Sequence, residues 1–304
     1  MTTAIAKAHA QAVCWRSYLT LCKPKVVLLI TFTALVGALL SVAGNPPWFA
    51  LSGAMIGIAM ASAAGAAMNH WADRKIDGIM LRTRNRPLPR SELAPPSVLV
   101  FALSLTATSM AVLVATTNTL TALLTFISII GYAVIYTMYL KHATPYNIVW
   151  GGVAGATPPI LGWTAITGEI HTEALLLFLI IFIWTPPHFW SLAIKRRDEY
   201  ARAGVPMLPV THGVAFTKLQ IMLYTVMLFL ISMIPFIIEM SGLIYLAGAL
   251  SLGIGFAWHA CKLYCHDDDR HAGKTFGYSI FYLSMLFAFL LADHYARIVI
   301  RLWF

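Results

Sequence analysis

The 304 residues predict an all-α polytopic membrane protein, a bundle of about nine transmembrane helices around a central cavity open at the cytoplasmic side. Three observations carry that expectation. Hydrophobic residues make up 59% of the chain and charged residues 11%, with a mean hydropathy of +0.76, a balance foreign to soluble domains of this length. Apolar runs close to the ~20 residues that span a bilayer recur from one end to the other. Nineteen of the 21 lysines and arginines fall in alternate connectors, as the positive-inside rule requires.

The runs lie near 25–43, 48–68, 97–116, 119–140, 146–166, 173–193, 217–238, 242–263 and 277–299. Short connectors, such as Gly44 to Pro47, leave little room for an extramembrane unit. Residues 1–304 therefore read as a single transmembrane domain with a cytoplasmic N-terminal tail at 1–20. With the N-terminus inside, only Arg297 and Arg301 face outward, and an odd number of spans results. The net charge of +9 is thus a topology signal combined with a phosphate-binding signal. Nucleic acid is excluded as a partner, because it needs a soluble basic surface. The first twenty residues lack the apolar core and cleavage site of a signal peptide, and no long presequence is evident. A multi-pass protein of the bacterial cell inner membrane is the expectation. Cys14, Cys22, Cys261 and Cys265 all face the reducing side, so no disulfide is expected.

The second run ends in Asn69-His-Trp-Ala-Asp73-Arg-Lys-Ile-Asp77, followed by Arg82-Thr-Arg84-Asn-Arg86-Pro87. Four helical residues turn through about 400°, so Asn69, Asp73 and Asp77 share one stripe about 6 Å apart, with His70 set off it. Two carboxylates and an amide suit a hard cation such as Mg²⁺, which shares itself between carboxylates and substrate phosphates. Arg82 and Arg86 match phosphate oxygens bidentately. A membrane-edge site for a lipid diphosphate is the natural reading.

The end of the sixth run echoes this pattern, with Lys195-Arg-Arg-Asp198-Glu199-Tyr200, Arg202 and Pro206-Met-Leu-Pro209. Two such half-sites facing each other across a bundle would enclose one cavity; alternatively, both are ordinary basic loops. Lys141 closes the fourth run, either completing a diphosphate clamp or anchoring the helix at the headgroups. The fifth run carries a small-residue stripe from Gly151 to Gly162 with Pro158-Pro159 inside it, which permits close helix contact. His188 follows a second Pro-Pro pair and shares a face with Lys195. It would ligate a haem iron or contact substrate, or hydrogen-bond a broken backbone. Cys261 and Cys265, with His259 and His266, have zinc-like spacing but lack a second ligand pair, and Asp267 to Asp269 read as a solvated loop.

The N-x-x-x-D-x-x-x-D, R-T-x-x-R-P and Y-T-x-x-L-K elements resemble the UbiA-type intramembrane prenyltransferases. The strings from Gly155 to Trp163 and from Trp184 to Val210 resemble the branch that farnesylates protohaem IX, and the likeness covers nearly the whole chain. Relatives acting on aromatic acids carry a second aspartate pair near the sixth helix, where this chain has Lys195 and Asp198. The resemblance implies transfer of farnesyl from farnesyl diphosphate to a vinyl group of haem b, with addition of water, giving haem O for respiratory haem-copper oxidases. It implies Mg²⁺ on Asn69, Asp73, Asp77 and Asp198, with Asp73, Asp77, Asp198 and Lys195 as the catalytic set. Arg82, Arg86 and Lys141 would bind diphosphate and His188 haem. Haem b enters as substrate rather than cofactor. A downstream haem-modifying enzyme or oxidase assembly factors would be the partners beyond the lipid bilayer. Two alternatives remain: a sister prenyltransferase with another aromatic or tetrapyrrole acceptor, and a membrane transporter, whose site would need polar residues at mid-helix.

Overall fold

A computed structural model describes residues 15–266 and 270–303, with side chains through 300. The tail residues Lys7 and Cys14 and the loop Asp267 to Asp269 lie outside the described residues. Every regular element described is helical. In chain order they are α1 (Trp15–Leu21), α2 (Pro24–Leu40), α3 (Trp48–Asp77), α4 (Pro95–Thr116) and α5 (Thr119–Ile130), which runs on as a π-helix over Gly131–Leu140 and a last turn, Lys141–Ala143. Then come α6 (Asn147–Ala156), α7 (Pro158–Thr167), α8 (Thr172–Lys195), α9 (Arg197–Arg202), α10 (Leu208–Thr211), α11 (Gly213–Ile231), α12 (Ile234–Ile237), α13 (Leu243–Cys265) and α14 (Arg270–Trp303).

Among the described residues, seven helical stretches are long and apolar enough to cross a membrane, or eight if α1 and α2, bent by 51° at their junction, form one span. The difference from nine lies at 146–166. That run forms two ten-residue helices, α6 and α7, parted at Thr157 because Pro158 and Pro159 cannot supply the amides that would continue the ladder. The expected tail at 1–20 also differs in its last residues, where Trp15 onward is already helical.

The small-residue stripe has a packing role. A Cβ on Gly162 of α7 would overlap the Ala34 carbonyl of α2, and one on Gly37 of α2 would overlap the Pro159 carbonyl. Glycine at both positions lets the two backbones touch, which matters where lipid removes the hydrophobic drive for helix association. Elsewhere, polar side chains join helices across the bundle. Ser109 of α4 donates to the Gly57 carbonyl at 2.7 Å, Asn118 caps α5 and donates to the Thr164 carbonyl at 2.8 Å, and Tyr245 donates to the Ser232 carbonyl at 2.8 Å. The main apolar core lies around α8, where Leu177, Ile180 and Trp184 meet Tyr245 and Phe256 of α13 and Tyr282 and Leu286 of α14. A second core, with Met80, Trp190, Ile194 and Tyr200, packs the C-terminal end of α8 against the turn after α3.

Candidate active site

At 30 residues, α3 is about 45 Å long, well beyond the ~30 Å hydrocarbon layer, so its last turns reach the membrane face. Asn69, Asp73 and Asp77 are each less than a tenth exposed there. Buried carboxylates must be paired, and these are. Lys141 Nζ lies 2.6 Å from Asp73 Oδ2, which also accepts from Asn69 Nδ2 at 2.9 Å. Arg86 Nη1 lies 2.6 Å from Asp77 Oδ2. Lys23 Nζ donates to Asn69 Oδ1 at 2.7 Å. Each of the three ligand-type side chains thus carries its own cation.

The cations come from three separate elements, and local backbone chemistry delivers each one. Lys141 follows the ten-residue π-helix, in which Thr137 Oγ1 donates to the Tyr132 carbonyl five residues back at 2.8 Å. Such π segments are rare and concentrate at functional sites; this one also brings Thr137 within 3.4 Å of Asn69 Nδ2. Arg86 returns because Thr83, buried in the turn after α3, donates to the Asp77 carbonyl at 3.0 Å. That bond folds the loop back onto the helix end it has just left. Lys23 sits between α1 and α2 in the left-handed region, φ 49°, with Pro24 starting α2 behind it. A non-glycine residue in that region is uncommon and marks a constrained position.

A second wall is built from α9 and the residues before it. Glu199 accepts from the Arg82 amide at 3.4 Å and from Arg196 Nη1 at 2.9 Å, joining the α3–α4 loop to the end of α8. Tyr200 is buried beside Arg82 and Arg196; burial raises its phenol pKa, so it remains a neutral hydroxyl. Tyr132 and Tyr136 of the π-helix stack 5.7 Å apart, within electrostatic reach of Asp73.

Not every expected residue joins this cluster. Asp198, expected on the metal, is 83% exposed and lies 3.4 Å from its neighbour Arg197. One residue of helical rotation explains it: Glu199 takes the inward position and Asp198 the outward one. Lys195, expected in the catalytic set, is exposed with its ammonium against Gly273 of α14. His188 shares that α8–α14 seam, as its seven-residue spacing from Lys195 implied. Its ring lies between Trp184 and Phe276, with centroids at 4.3 and 4.5 Å, and its Nδ1 is 2.7 Å from Ser279 Oγ. The structure therefore divides the expected site into an α3 cluster of Asn69, Asp73, Asp77, Arg82, Arg86 and Lys141, and an α8 group of His188, Lys195 and Asp198. Cys261 and Cys265 are exposed free thiols with sulfurs 4.0 Å apart.

The donor set of the α3 cluster fits Mg²⁺. Its atoms are hard oxygens on one helical stripe, and two carboxylates with the remaining positions left to water and phosphate is the usual way a protein holds that ion. The surrounding cations outnumber the carboxylates, so the site also suits an anion arriving with the metal.

Sequence reasoning passed over Lys23 and Thr137, gave Glu199 no separate role and set His70 off the stripe. Lys23 was legible as the residue before a helix-initiating proline, the one place where a lysine at a helix break faces the bundle end. His70 is 2% exposed within the cluster rather than set apart from it.

Residues 30–289 match the family model described as the UbiA prenyltransferase family. The chain is 61% identical over 295 residues to a protoheme IX farnesyltransferase of Thioalkalivibrio sulfidiphilus, covering 97% of each chain. It is 55% identical to that of Methylococcus capsulatus, covering 97% of this chain and 99% of the relative. Among solved structures, a UbiA homologue from Aeropyrum pernix K1 superposes with a TM-score of 0.70 at 20% identity, over 89% of this chain and 98% of the other. A UbiA homologue from Archaeoglobus fulgidus bound to GPP and Mg²⁺ gives 0.62 at 15% identity, over 90% and 99%. At those identities the likeness concerns the fold alone. The chain belongs to the UbiA prenyltransferase family, on the branch whose members are called protoheme IX farnesyltransferases.

Proposed function

We propose that this chain transfers the farnesyl group of farnesyl diphosphate to a vinyl group of haem b, with addition of water, to give haem O. The observation that carries the reading is the buried stripe Asn69–Asp73–Asp77 with a cation on each member, in a chain 61% identical to a protoheme IX farnesyltransferase across 97% of its length.

Mg²⁺, held by Asn69, Asp73 and Asp77, would neutralise the diphosphate and improve it as a leaving group. Lys23, Lys141 and Arg86 turn from the ligand oxygens to the phosphates, while Arg82 faces them from the α3–α4 loop. They stabilise the negative charge that grows on the leaving oxygen as the C–O bond breaks. Tyr132 and Tyr136 offer ring faces to the allylic cation, an attraction worth ~0.5–2 kcal/mol. The vinyl π-electrons form the new C–C bond; water then adds to the resulting cation and releases a proton. No protein nucleophile is needed.

His188, Lys195 and Asp198 lie on the α8 side. There, His188 is assigned to the haem acceptor, and Lys195 and Asp198 to the approach rather than the chemistry. The positive-inside distribution supports a site at the cytoplasmic face, and a bacterial inner membrane is the proposed setting. A transporter would need its polar residues near the bilayer midplane, whereas these cluster at one end of the bundle.

The test is an acceptor assay on purified protein in detergent with farnesyl diphosphate, haem b and Mg²⁺, with and without chelator, read by mass spectrometry. A chelator-sensitive pigment carrying farnesyl plus one water is expected. Diphosphate release only with another aromatic acceptor would move the chain to a sister activity.

A further inference from the structure

The imidazole of His70 has no partner. It is 2% exposed, one residue after Asn69 and three before Asp73, and both ring nitrogens are buried without a hydrogen bond. The neighbouring Asn69, Asp73 and Asp77 are all hydrogen-bonded, whereas His70 beside them is not. A buried donor left unmade costs stability, and such exceptions call for a missing group.

The charged groups facing the ring identify that group's chemistry. They include Lys23, bonded to the adjacent Asn69, and Arg86, bonded to Asp77 on the ring's side of α3, with Arg82 in the same loop as Arg86. Ammonium and guanidinium have no acceptor atoms, and Asp73 Oδ2 and Asp77 Oδ2 are taken by Lys141, Asn69 and Arg86 rather than by the ring. On the helical wheel His70 lies about 20° from Asp77, on the same side of α3 as the ligand stripe. An anion rich in acceptor oxygens, placed among these three cations, meets both the charge and the hydrogen-bond requirement.

We propose that His70 is a diphosphate-contacting residue, its ring N–H donating to an oxygen of the prenyl diphosphate. This assignment rests on the diphosphate reading of the α3 cluster and adds to it a side chain that is neither a metal ligand nor a cation.

The experiment measures binding of inorganic pyrophosphate with Mg²⁺ by calorimetry, on the full chain in detergent. His70→Phe keeps the ring volume without nitrogen; His70→Gln and His70→Asn return an amide N–H near one ring nitrogen or the other. On the order of tenfold weaker binding is expected for His70→Phe, as for loss of one hydrogen bond to a charged group, with one amide variant within about threefold of wild type. Without ligand, His70→Phe should melt no lower than wild type, because it removes an unpaired polar group. Wild-type affinity in His70→Phe would overturn the proposal. So would equal losses in all three variants, which would point to packing. If His70→Phe fails to insert, His70→Leu is judged by the same criteria. Asp73→Asn controls for the underlying reading: if wild type and Asp73→Asn bind pyrophosphate alike, that reading falls and this assignment with it.

Discussion

The ends of α3 and α8 carry similar charge and similar proline-stiffened loops, yet they are built in opposite ways. At the end of α3, Asp73 and Asp77 are buried and held by Lys141 and Arg86 at 2.6 Å. At the end of α8, Asp198 is 83% exposed beside Arg197, and Lys195 leans on α14. Exposed pairs contribute ~0–1 kcal/mol and are screened by salt. Buried pairs leave an uncompensated charge when one partner is removed. The two echoed ends therefore differ in build: one has buried carboxylates each held by a cation, and the other an exposed carboxylate and a lysine against α14.

Substitutions can break or sharpen that contrast. The largest effect is expected at the stripe itself. Asp73→Asn or Asp77→Asn should lower farnesyl transfer by at least about 10³-fold while the protein remains inserted, since each removes metal charge from the developing leaving group. Turnover followed by mass spectrometry checks this, and a near-normal rate would remove the metal assignment. Next come the cations: Lys141→Met and Arg86→Met should each cost about 10²-fold in kcat, the usual loss for one transition-state charge contact. His188→Ala should weaken haem engagement, followed by the Soret shift on titration, several-fold more than farnesyl diphosphate engagement. Equal losses would assign the ring to packing between Trp184 and Phe276. Away from the chemistry, Gly162→Ala should destabilise by about 1–3 kcal/mol, because its Cβ meets the Ala34 carbonyl. A thermal melt in detergent reads that change directly. Asp198→Asn should be smallest of all, within about threefold of wild-type rate.

The α3 motif was legible because both ligand spacing and helix period are short-range properties, so Asn69, Asp73 and Asp77 could be placed on one stripe without any tertiary knowledge. Lys141 and Arg86 were legible as cations at the right membrane face. What pairs with what was not: Lys23 reaches Asn69 across 46 residues through a left-handed break. Glu199 replaces Asp198 because a one-residue change of phase at a helix end is beyond sequence patterning. The break of the 146–166 run was visible as the Pro158-Pro159 pair, but the close packing of α7 on α2 through Gly37 and Gly162 was not. His70 was set off the stripe because its place was judged from Asn69, about 100° away, and not from Asp77, about 20° away.

The most direct measurement is Mg²⁺-dependent pyrophosphate binding by calorimetry on wild type, Asp73→Asn and Asp198→Asn in one detergent preparation. If the end of α3 holds the metal and the diphosphate, Asp73→Asn loses Mg²⁺-dependent binding and Asp198→Asn retains it within about twofold, as for an exposed ion pair. A loss in Asp198→Asn as large as that in Asp73→Asn would contradict the asymmetry and restore α8 as an equal half of the site.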